Sequence, residues 1–420
     1  MDSGNTAWVL GSAALVLFMT PGLAFFYGGM VRSKNVLGML MQNFFSMGLV
    51  SVLWVLFVFS LAFGKDAGGG FIGNLGFAGL KDLVTPAAGF HVPGYVNELA
   101  LSIPPLAFVA FQLMFAIITP ALITGATADR MKFSAWVVFL GVWLVVCYAP
   151  VAHWVFSPTG WLFDLGALDF AGGTVVHVNA GIAALALVLV LGKRRGWPRE
   201  AMPPHALPYT LLGAGILWFG WFGFNAGSAL GATNLAATAF VNTNTAAAAA
   251  MLGWLLAERI KGGHATTLGA ASGCVAGLVA ITPCAGFVNP FGSIFIGFIA
   301  GVVCLLFVQL KFRLGYDDAL DVVAVHLVGG ITGSLLLGVF ATEAFGGLLA
   351  GGGASLLGKQ FVAVIATIVW TGVISLVLAK IIDATMGLRV KGDEEDQGLD
   401  LSQHSETAYA GELGAMGRVG

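Results

Sequence analysis

Long apolar blocks separated by short polar segments follow one another along the chain. Each block is about 20 residues long, which is the length that a membrane-spanning helix needs. Gly and Pro residues interrupt some blocks, and neighbouring helices in a bundle tolerate such residues. We therefore predict eleven transmembrane helices, at about 7–30, 43–63, 103–127, 133–153, 171–192, 207–226, 233–257, 267–284, 290–310, 320–341 and 360–382.

Composition agrees with this pattern and excludes other classes of protein. Of the 420 residues, 58% are apolar and only 10% are charged, whereas a typical soluble domain carries about 25% charged residues. Disorder is excluded by the same composition, and an outer-membrane barrel would show short alternating segments instead of long blocks. The net charge is −2 and the sequence has no basic patch, so it gives no indication of nucleic-acid binding. The fold class is an all-α polytopic membrane protein.

The distribution of basic residues predicts the orientation. With the N-terminus outside, inner segments hold 16 of the 19 Lys and Arg residues and outer segments hold 3, as the positive-inside rule requires. No basic residue precedes the first block, so we do not interpret it as a cleaved signal peptide. We expect an N-out, C-in protein of the cytoplasmic membrane, with a Gly-rich outer loop at 64–102. The inner tail carries an acidic run at 393–396, which we expect to be solvated, with partner docking as the alternative.

Two blocks of similar sequence predict an internal repeat. Asp169 precedes His177 by eight residues, Asp318 precedes His326 by the same spacing, and Gly-Ile follows each histidine at the fourth and fifth positions. The blocks are the fifth and tenth spans, so they cross the membrane in opposite directions, as in an inverted repeat. The predicted boundaries are 7–192 and 207–341 for the five-helix halves, 360–382 for the eleventh helix, 1–382 for the transmembrane domain and 383–420 for the cytoplasmic tail.

His177 and His326 are the candidate chemical groups inside the membrane. Each lies about 9 Å from its end of the helix, at 1.5 Å per residue, so across a core of about 30 Å the two imidazoles can meet near the centre. An ionisable residue is costly there, and a functional role is the default expectation, with a buried packing role as the alternative. Two apposed imidazoles suit a small hydrogen-bonding solute or a proton transfer. Without further ligands they make a poor metal site, and we predict no metal and no cofactor.

Aromatic residues are dense at the predicted outer side. Phe111 and Phe115 share one helix face, and Ser228 ends an aromatic segment that begins at Trp218. Aromatic residues are common anchors at membrane interfaces. Their faces also attract cations, so such a cluster with a hydroxyl group can select a small monovalent cation without a carboxylate. The four cysteines (Cys147, Cys274, Cys284 and Cys304) form no C-x-x-C pair and are expected to be small buried hydrophobes.

Five motifs carry a resemblance to a known family. They are Asp169-Phe-Ala-Gly-Gly-Thr-Val-Val-His177-Val-Asn-Ala-Gly181, Gly220-Trp-Phe-Gly-Phe-Asn-Ala-Gly-Ser228, Phe240-Val-Asn-Thr-Asn, Phe26-Tyr-Gly-Gly-Met-Val-Arg32 and Gly387-Leu-Arg-Val. With these motifs the sequence, from about residue 5 to 409, resembles the ammonium transporter family (Amt/Mep/Rh) and in particular its bacterial Amt branch. The resemblance implies eleven spans, a homotrimer and one narrow apolar pore per subunit.

The resemblance also implies roles for single residues. It places Phe111, Phe115, Phe156 and Ser228 at an outer site that recruits ammonium, and Asp169 at an acidic position beside it that supports recruitment or proton release. It places Phe115 and Phe224 at a gate above the pore, and His177 and His326 at a pair of histidines that lines it. The family further implies a cytosolic regulator of the PII type as a possible partner of the tail and inner loops.

One position departs from the family pattern. The bacterial branch usually has Trp where this sequence has Phe156, and one extra residue separates this position from Asp169. Trp gives the best cation–π face, so we expect weaker recruitment unless Trp154 or Trp161 supplies the indole.

Two other function classes stay open beside ammonium transport. One is a sensor or regulatory membrane protein that binds ammonium and moves little of it. The other is a membrane enzyme, which is disfavoured because the sequence has no H-E-x-x-H motif, P-loop or paired intramembrane carboxylates. A neutral-gas channel of the Rh type is a variant of the transporter and is separated from it by whether transport carries charge.

Overall fold

The computed structural model describes residues 1–84 and 101–409, and within these ranges the chain is helical without any β-strand. His91, Arg418 and the adjoining parts of the predicted outer loop and tail lie outside the described residues. The long helices are α1 (Ser3–Met30), α2 (Ser33–Phe63), α3 (Pro105–Thr127), α4 (Phe133–Leu165), α5 (Gly173–Leu191), α6 (Leu207–Ala226), α7 (Asn234–Gly262), α8 (Thr267–Ile281), α9 (Pro290–Leu314), α10 (Val323–Phe340) and α11 (Ser355–Met386). Two short helices follow, α12 (Gly392–Gln397) and α13 (Leu399–His404).

The predicted all-α polytopic membrane fold is confirmed. Ten of the helices in the described residues are long and apolar enough to cross a bilayer, while α8 is apolar but has only 15 residues. Several helices extend beyond the predicted blocks, among them α2 and α4, and also α7, α9 and α11. The last turns of α7 and α9 carry Lys or Arg, which interact favourably with the negative end of the helix dipole. An apolar window therefore marks where a helix crosses the membrane core, but not where its hydrogen bonding stops.

The short helix α8 is completed by an irregular segment that is buried in protein. The segment follows Ile281, and Thr282, Cys284 and Ala285 in it are fully buried. The side-chain amide of Asn242 donates to the carbonyl oxygens of Ala285 at 2.8 Å and Val288 at 2.7 Å. Irregular backbone at membrane depth is tolerated where such partners satisfy it. Asn242 belongs to the motif that begins at Phe240, so this motif has a structural role.

Glycines allow the closest contacts between helices. A Cβ placed on Gly213 of α6 would lie 2.2 Å from the backbone nitrogen of Phe26 in α1. A Cβ placed on Gly301 of α9 would lie 2.1 Å from the carbonyl oxygen of Ala250 in α7. Small residues are favoured at helix interfaces in membranes because attraction there depends on close van der Waals packing.

The helices α5 and α10 run in opposite directions. Arg194 lies just beyond the end of α5 and pairs with Asp317, just before the start of α10, at 2.8 Å. The beginning of one helix therefore lies beside the end of the other. Burial alone would raise the pKa of Asp317, but its hydrogen bonds and attraction to Arg194 outweigh this effect and lower the pKa. The pair is thus charged at neutral pH and fixes the relative position of the two helices.

The acidic run of the tail is not simply solvated, which corrects the sequence-based expectation. Glu395 is 1% exposed and accepts hydrogen bonds from Arg389 at 2.6 Å and from the backbone nitrogen of Arg195 at 2.8 Å. Asp400 accepts from the backbone nitrogen of Gly38 at 2.8 Å, at the beginning of α2. Basic side chains and free N–H groups of the helix bundle hold the first part of the tail against the same end of the molecule as Arg194.

Candidate functional site

His177 and His326 contact each other in the interior of the bundle. Their Nδ1 atoms are 3.3 Å apart and their rings are nearly parallel, at 16°. The side chains are 1% and 2% exposed. One Nδ1 must donate to the other, so in the neutral pair one ring carries its proton on Nδ1 and the other on Nε2. The prediction that the two imidazoles can meet inside the bundle is therefore confirmed.

The helices bring the histidines together through the glycine that follows each of them by four residues. A Cβ on Gly181 would lie 2.4 Å from the backbone nitrogen of Leu327, and a Cβ on Gly330 would lie 3.1 Å from Cβ of His177. Both histidines also lie in π-helical turns, at Gly173–Val178 and Val323–Val328. Such turns are uncommon and occur frequently at functional sites. The repeated glycines are therefore the contact points of α5 and α10.

An aromatic stack continues from the histidine pair. The ring of His177 lies on the indole of Trp221, with 5.4 Å between centroids, and 6.1 Å from the ring of Phe224. Phe224 contacts Phe115 at 4.4 Å. Phe115 and Phe224 are 1% and 0% exposed, so in this conformation the two rings are packed against each other without a gap that admits solvent.

On the far side of Phe115 lies a cavity of about 370 Å³. Four residues from the predicted recruitment site contribute to its wall: Phe115, Phe156, Asp169 and Ser228. Phe115 belongs to α3, and Phe156 lies in α4 just before an interruption of that helix. Asp169 precedes α5, and Ser228 follows α6. The structure thus brings together residues that are separated by more than 100 positions in the sequence.

The two polar groups predicted for this site are already engaged in hydrogen bonds. The carboxylate of Asp169 accepts from the backbone nitrogens of Gly172 at 2.8 Å and Gly173 at 2.6 Å, and from the backbone and hydroxyl of Thr174. It therefore caps the start of α5. The hydroxyl of Ser228 donates to the carbonyl oxygen of Phe224 at 2.8 Å. Its lone pairs remain available, so Ser228 presents itself to the cavity as an acceptor.

Phe111 and the two candidate tryptophans lie elsewhere. Phe111 is 0% exposed and stands behind Phe115, at 4.9 Å, where it packs against Gly227. The indole nitrogen of Trp154 donates to the carbonyl oxygen of Phe71 at 2.8 Å, and its ring contacts Trp161. Among the described residues of the cavity wall, Phe156 is present and neither tryptophan is. Four residues of separation on a helix bring Phe111 near Phe115, but packing against α6 directs its ring away from the cavity.

Gln112 was missed at the level of the sequence, and Trp221 was included in the aromatic segment at 218–228 without a prediction of its contact with His177. Gln112 lines the cavity one turn before Phe115, and Trp221 stacks on His177 and donates to Thr282 at 2.9 Å. A polar residue within an apolar span is the signal that would have found Gln112. The aromatic density of 218–228 marked Trp221, but nothing in the sequence indicated that it stacks on His177. Within residues 1–84 and 101–409, no group of three or more His, Cys, Asp or Glu side chains is placed to hold a metal ion.

Comparisons with known proteins agree in pointing to one family. A sequence model of the Ammonium Transporter Family matches residues 7–409. An ammonium transporter of Mycobacterium tuberculosis is 53% identical over 97% of this chain and 90% of the relative. The crystal structure of Saccharomyces cerevisiae Mep2 has a TM-score of 0.84 at 35% identity, covering 94% of this chain and 89% of that one. A solved sensor Amt protein has a TM-score of 0.86 at 31% identity, covering 96% and 98%.

Proposed function

The chain belongs to the ammonium transporter family, and from this premise we propose how its own residues move ammonium nitrogen across the membrane. Ammonium enters the cavity beside Phe115 and Phe156 and gives up a proton there, which returns to the outer solvent in neutral transport or follows the ammonia by way of the histidine pair in charged transport. Ammonia passes the Phe115–Phe224 contact and then the histidine pair. The observation that carries this proposal is the 3.3 Å contact of two buried imidazoles behind an aromatic barrier.

The cavity favours a small cation without offering it a free carboxylate. The faces of Phe115 and Phe156 attract positive charge, and Ser228 accepts a hydrogen bond. Asp169 acts through its charge, because its oxygens are occupied by N–H and O–H groups of residues 172–175. K⁺ has no proton to give up, so it cannot leave its hydration shell and cross a dry aromatic barrier as a neutral species.

The histidine pair provides hydrogen-bonding partners beyond the barrier. The Nε2 atom of His177 is buried and has no hydrogen-bond partner among the described residues. It is thus available to ammonia. The Nδ1–Nδ1 contact further permits a proton to be handed from one ring to the other, which makes net transport charged; neutral transport is the outcome if this transfer does not occur.

Topology and assembly are part of the same proposal. We place the cavity and the N-terminus outside the cytoplasmic membrane and the tail in the cytoplasm, as the basic residues of the sequence indicate. Residues 1–382 form the transporting domain, in two repeat halves and an eleventh helix, and residues 383–420 form the tail. The family resemblance favours a homotrimer and a cytosolic regulator of the PII type at the tail.

Replacing His177 tests the proposal. Purified full-length protein in proteoliposomes is expected to give an ammonium-evoked current that excludes K⁺, and His177→Ala is expected to abolish it. The matched control is His153→Ala, since His153 is also fully buried but its Nδ1 donates to the carbonyl oxygen of Ala62 at 2.9 Å and not to a second imidazole. An unchanged, K⁺-excluding current in His177→Ala would contradict the role of the pair.

A second candidate function is an ammonium sensor with little flux. The similarity to a sensor Amt protein and the presence of Phe156 in place of Trp favour it. Ammonium binding without flux in the same vesicles would establish the sensor and refute the transporter. The enzyme alternative has no supporting observation in the site.

A further inference from the structure

Gln112 is a buried polar side chain whose hydrogen bonding is incomplete. It lies on α3 one turn before Phe115, lines the cavity and is 8% exposed. Its Oε1 atom has no hydrogen-bond partner among the described residues. Leaving a buried polar atom without a partner costs stability, so such an atom calls for an explanation.

Apart from the exposed Thr233, the other polar side chains of the described cavity wall form hydrogen bonds within the protein. Asp169 accepts hydrogen bonds on both oxygens, and the hydroxyl group of Ser228 donates a hydrogen bond to the carbonyl oxygen of Phe224. Asn5 donates to Ser102 at 2.6 Å and accepts from the backbone nitrogen of Ala232 at 2.8 Å. Gln112 therefore differs from its polar neighbours in the described wall, because its amide oxygen is not engaged by the protein.

The amide can present this oxygen to a ligand in the cavity. The last torsion of a glutamine side chain is broad, so rotation about it exchanges the positions of the amide oxygen and nitrogen. Ammonium brings four N–H donors, whereas K⁺ brings none. An ammonium ion that contacts the rings of Phe115 and Phe156 and donates one hydrogen bond to Ser228 still has N–H groups without an acceptor.

We propose that the amide oxygen of Gln112 accepts a hydrogen bond from ammonium bound in the cavity and thereby favours ammonium over alkylammonium ions. The inference rests on the proposed function, in that the cavity is taken to receive ammonium. Methylammonium has one N–H group fewer than ammonium, so it can donate fewer hydrogen bonds to the acceptors of the cavity wall. Gln112 is thus a binding residue that sets specificity, in addition to the aromatic rings.

The test measures ammonium binding separately from transport. A ligand that binds only the folded protein raises the unfolding temperature according to its concentration and dissociation constant. Detergent-solubilised full-length protein is titrated with ammonium chloride, methylammonium chloride and KCl at constant ionic strength. For Gln112→Met, which keeps the side-chain volume, we expect an approximately tenfold weaker apparent affinity for ammonium, about 1.4 kcal/mol. The affinity for methylammonium should change less than about twofold.

The control is the same substitution at a second buried glutamine. Gln42→Met removes another glutamine whose Oε1 lacks a partner in the described residues, from α2 and outside the described cavity wall. It should leave the ammonium affinity within about twofold of the natural chain. Equal losses for ammonium and methylammonium in Gln112→Met, or no loss for either, would overturn the proposal.

A second variant covers the case in which Gln112→Met does not fold. Gln112→Glu keeps acceptor oxygens at the same position, so it should bind ammonium at least as tightly as the natural chain, and weaker binding would refute the inference. Ammonium flux in vesicles of the natural chain tests the proposed function by itself. A chain that is stabilised by ammonium but conducts none refutes transport and leaves the role of Gln112 intact. A chain that ammonium does not stabilise overturns that role.

Discussion

We expect Phe156 to influence how strongly the aromatic part of the cavity attracts a cation. It lines the cavity together with Phe115, while Trp154 hydrogen-bonds the carbonyl of Phe71 and lies outside the described wall. A phenyl ring has a weaker negative face than an indole ring. At the scale of a single residue, the proposed site thus combines a weaker aromatic partner with hydrogen-bond acceptors from Ser228 and Gln112.

Introducing the indole at this position is expected to strengthen recruitment. Phe156→Trp should lower the half-saturating ammonium concentration of the current by about two- to fivefold, which corresponds to about 0.5–1 kcal/mol of cation–π attraction. Concentration–response curves in proteoliposomes measure it. Phe298→Trp, at an exposed position of α9, is the control and should leave the curve unchanged. A weaker response of Phe156→Trp would mean that the ring shapes the cavity more than it attracts the cation.

At the scale of elements, the crossing of α5 and α10 sets the distance between the histidines. Gly181 contacts the backbone of Leu327, and Gly330 contacts Gly173 and His177. The carboxylates of Asp169 and Asp318 cap the beginnings of the two helices at opposite ends of the crossing, the latter through the backbone nitrogen of Val323 at 2.7 Å. In each repeat, the Asp therefore caps the helix, the His contacts the other His, and the Gly lies where the two helices cross.

A methyl group at the crossing point should separate the two helices. In Gly181→Ala the added Cβ meets backbone at 2.4 Å, so the helices must move apart. We expect a loss of about 1–3 kcal/mol in the free energy of unfolding, together with loss of the ammonium-evoked current. Gly330→Ala, with nearest atoms at 3.0 Å, should cost less. Thermal unfolding in detergent compares both with Gly215→Ala, whose Cβ meets nothing within 4 Å. If Gly181→Ala is as stable as Gly215→Ala, the crossing is looser than described.

At the scale of the whole molecule, the tail joins separate helices at one end of the bundle. Glu395 contacts Arg389 and the segment after α5, Asp400 caps α2, and the His205 ring contacts the Tyr409 hydroxyl at 2.7 Å. Burial raises the pKa of Asp400, while the hydrogen bonds from the start of α2 oppose this effect. The tail therefore belongs to the folded structure through residue 409, although its composition is that of a solvated acidic segment.

Removing the buried charge of Glu395 should release the tail. Glu395→Gln leaves Arg389 without its carboxylate partner, and the expected loss in docking is about 1–3 kcal/mol, which favours local opening. Hydrogen exchange of residues 392–409 and limited proteolysis should both become faster, while the unfolding temperature of the helix bundle changes little. Asp393→Asn, at an exposed position, is the control. Unchanged exchange in Glu395→Gln would show that other contacts hold the tail.

Hydropathy and spacing were sufficient for much of the fold and for part of the site. The helical spans follow from the sequence because burial in a bilayer depends on the local run of apolar residues. The histidine pair was predictable because each imidazole lies at a similar depth in its own helix. The roles of Asn242 and Gln112 were not, since a polar residue in a span does not by itself reveal which distant atoms surround it.

The sequence by itself thus determined which segments are helical, that they suit a membrane, and that His177 and His326 lie at comparable depth. Only the tertiary structure decided that Phe156, and neither Trp154 nor Trp161, reaches the cavity, that Phe111 stands behind Phe115, and that Glu395 is buried. Those outcomes depend on contacts between segments far apart in the chain. Local pattern specifies a helix and its depth, whereas the rotation of each helix and the partner of each side chain are settled by packing against the others.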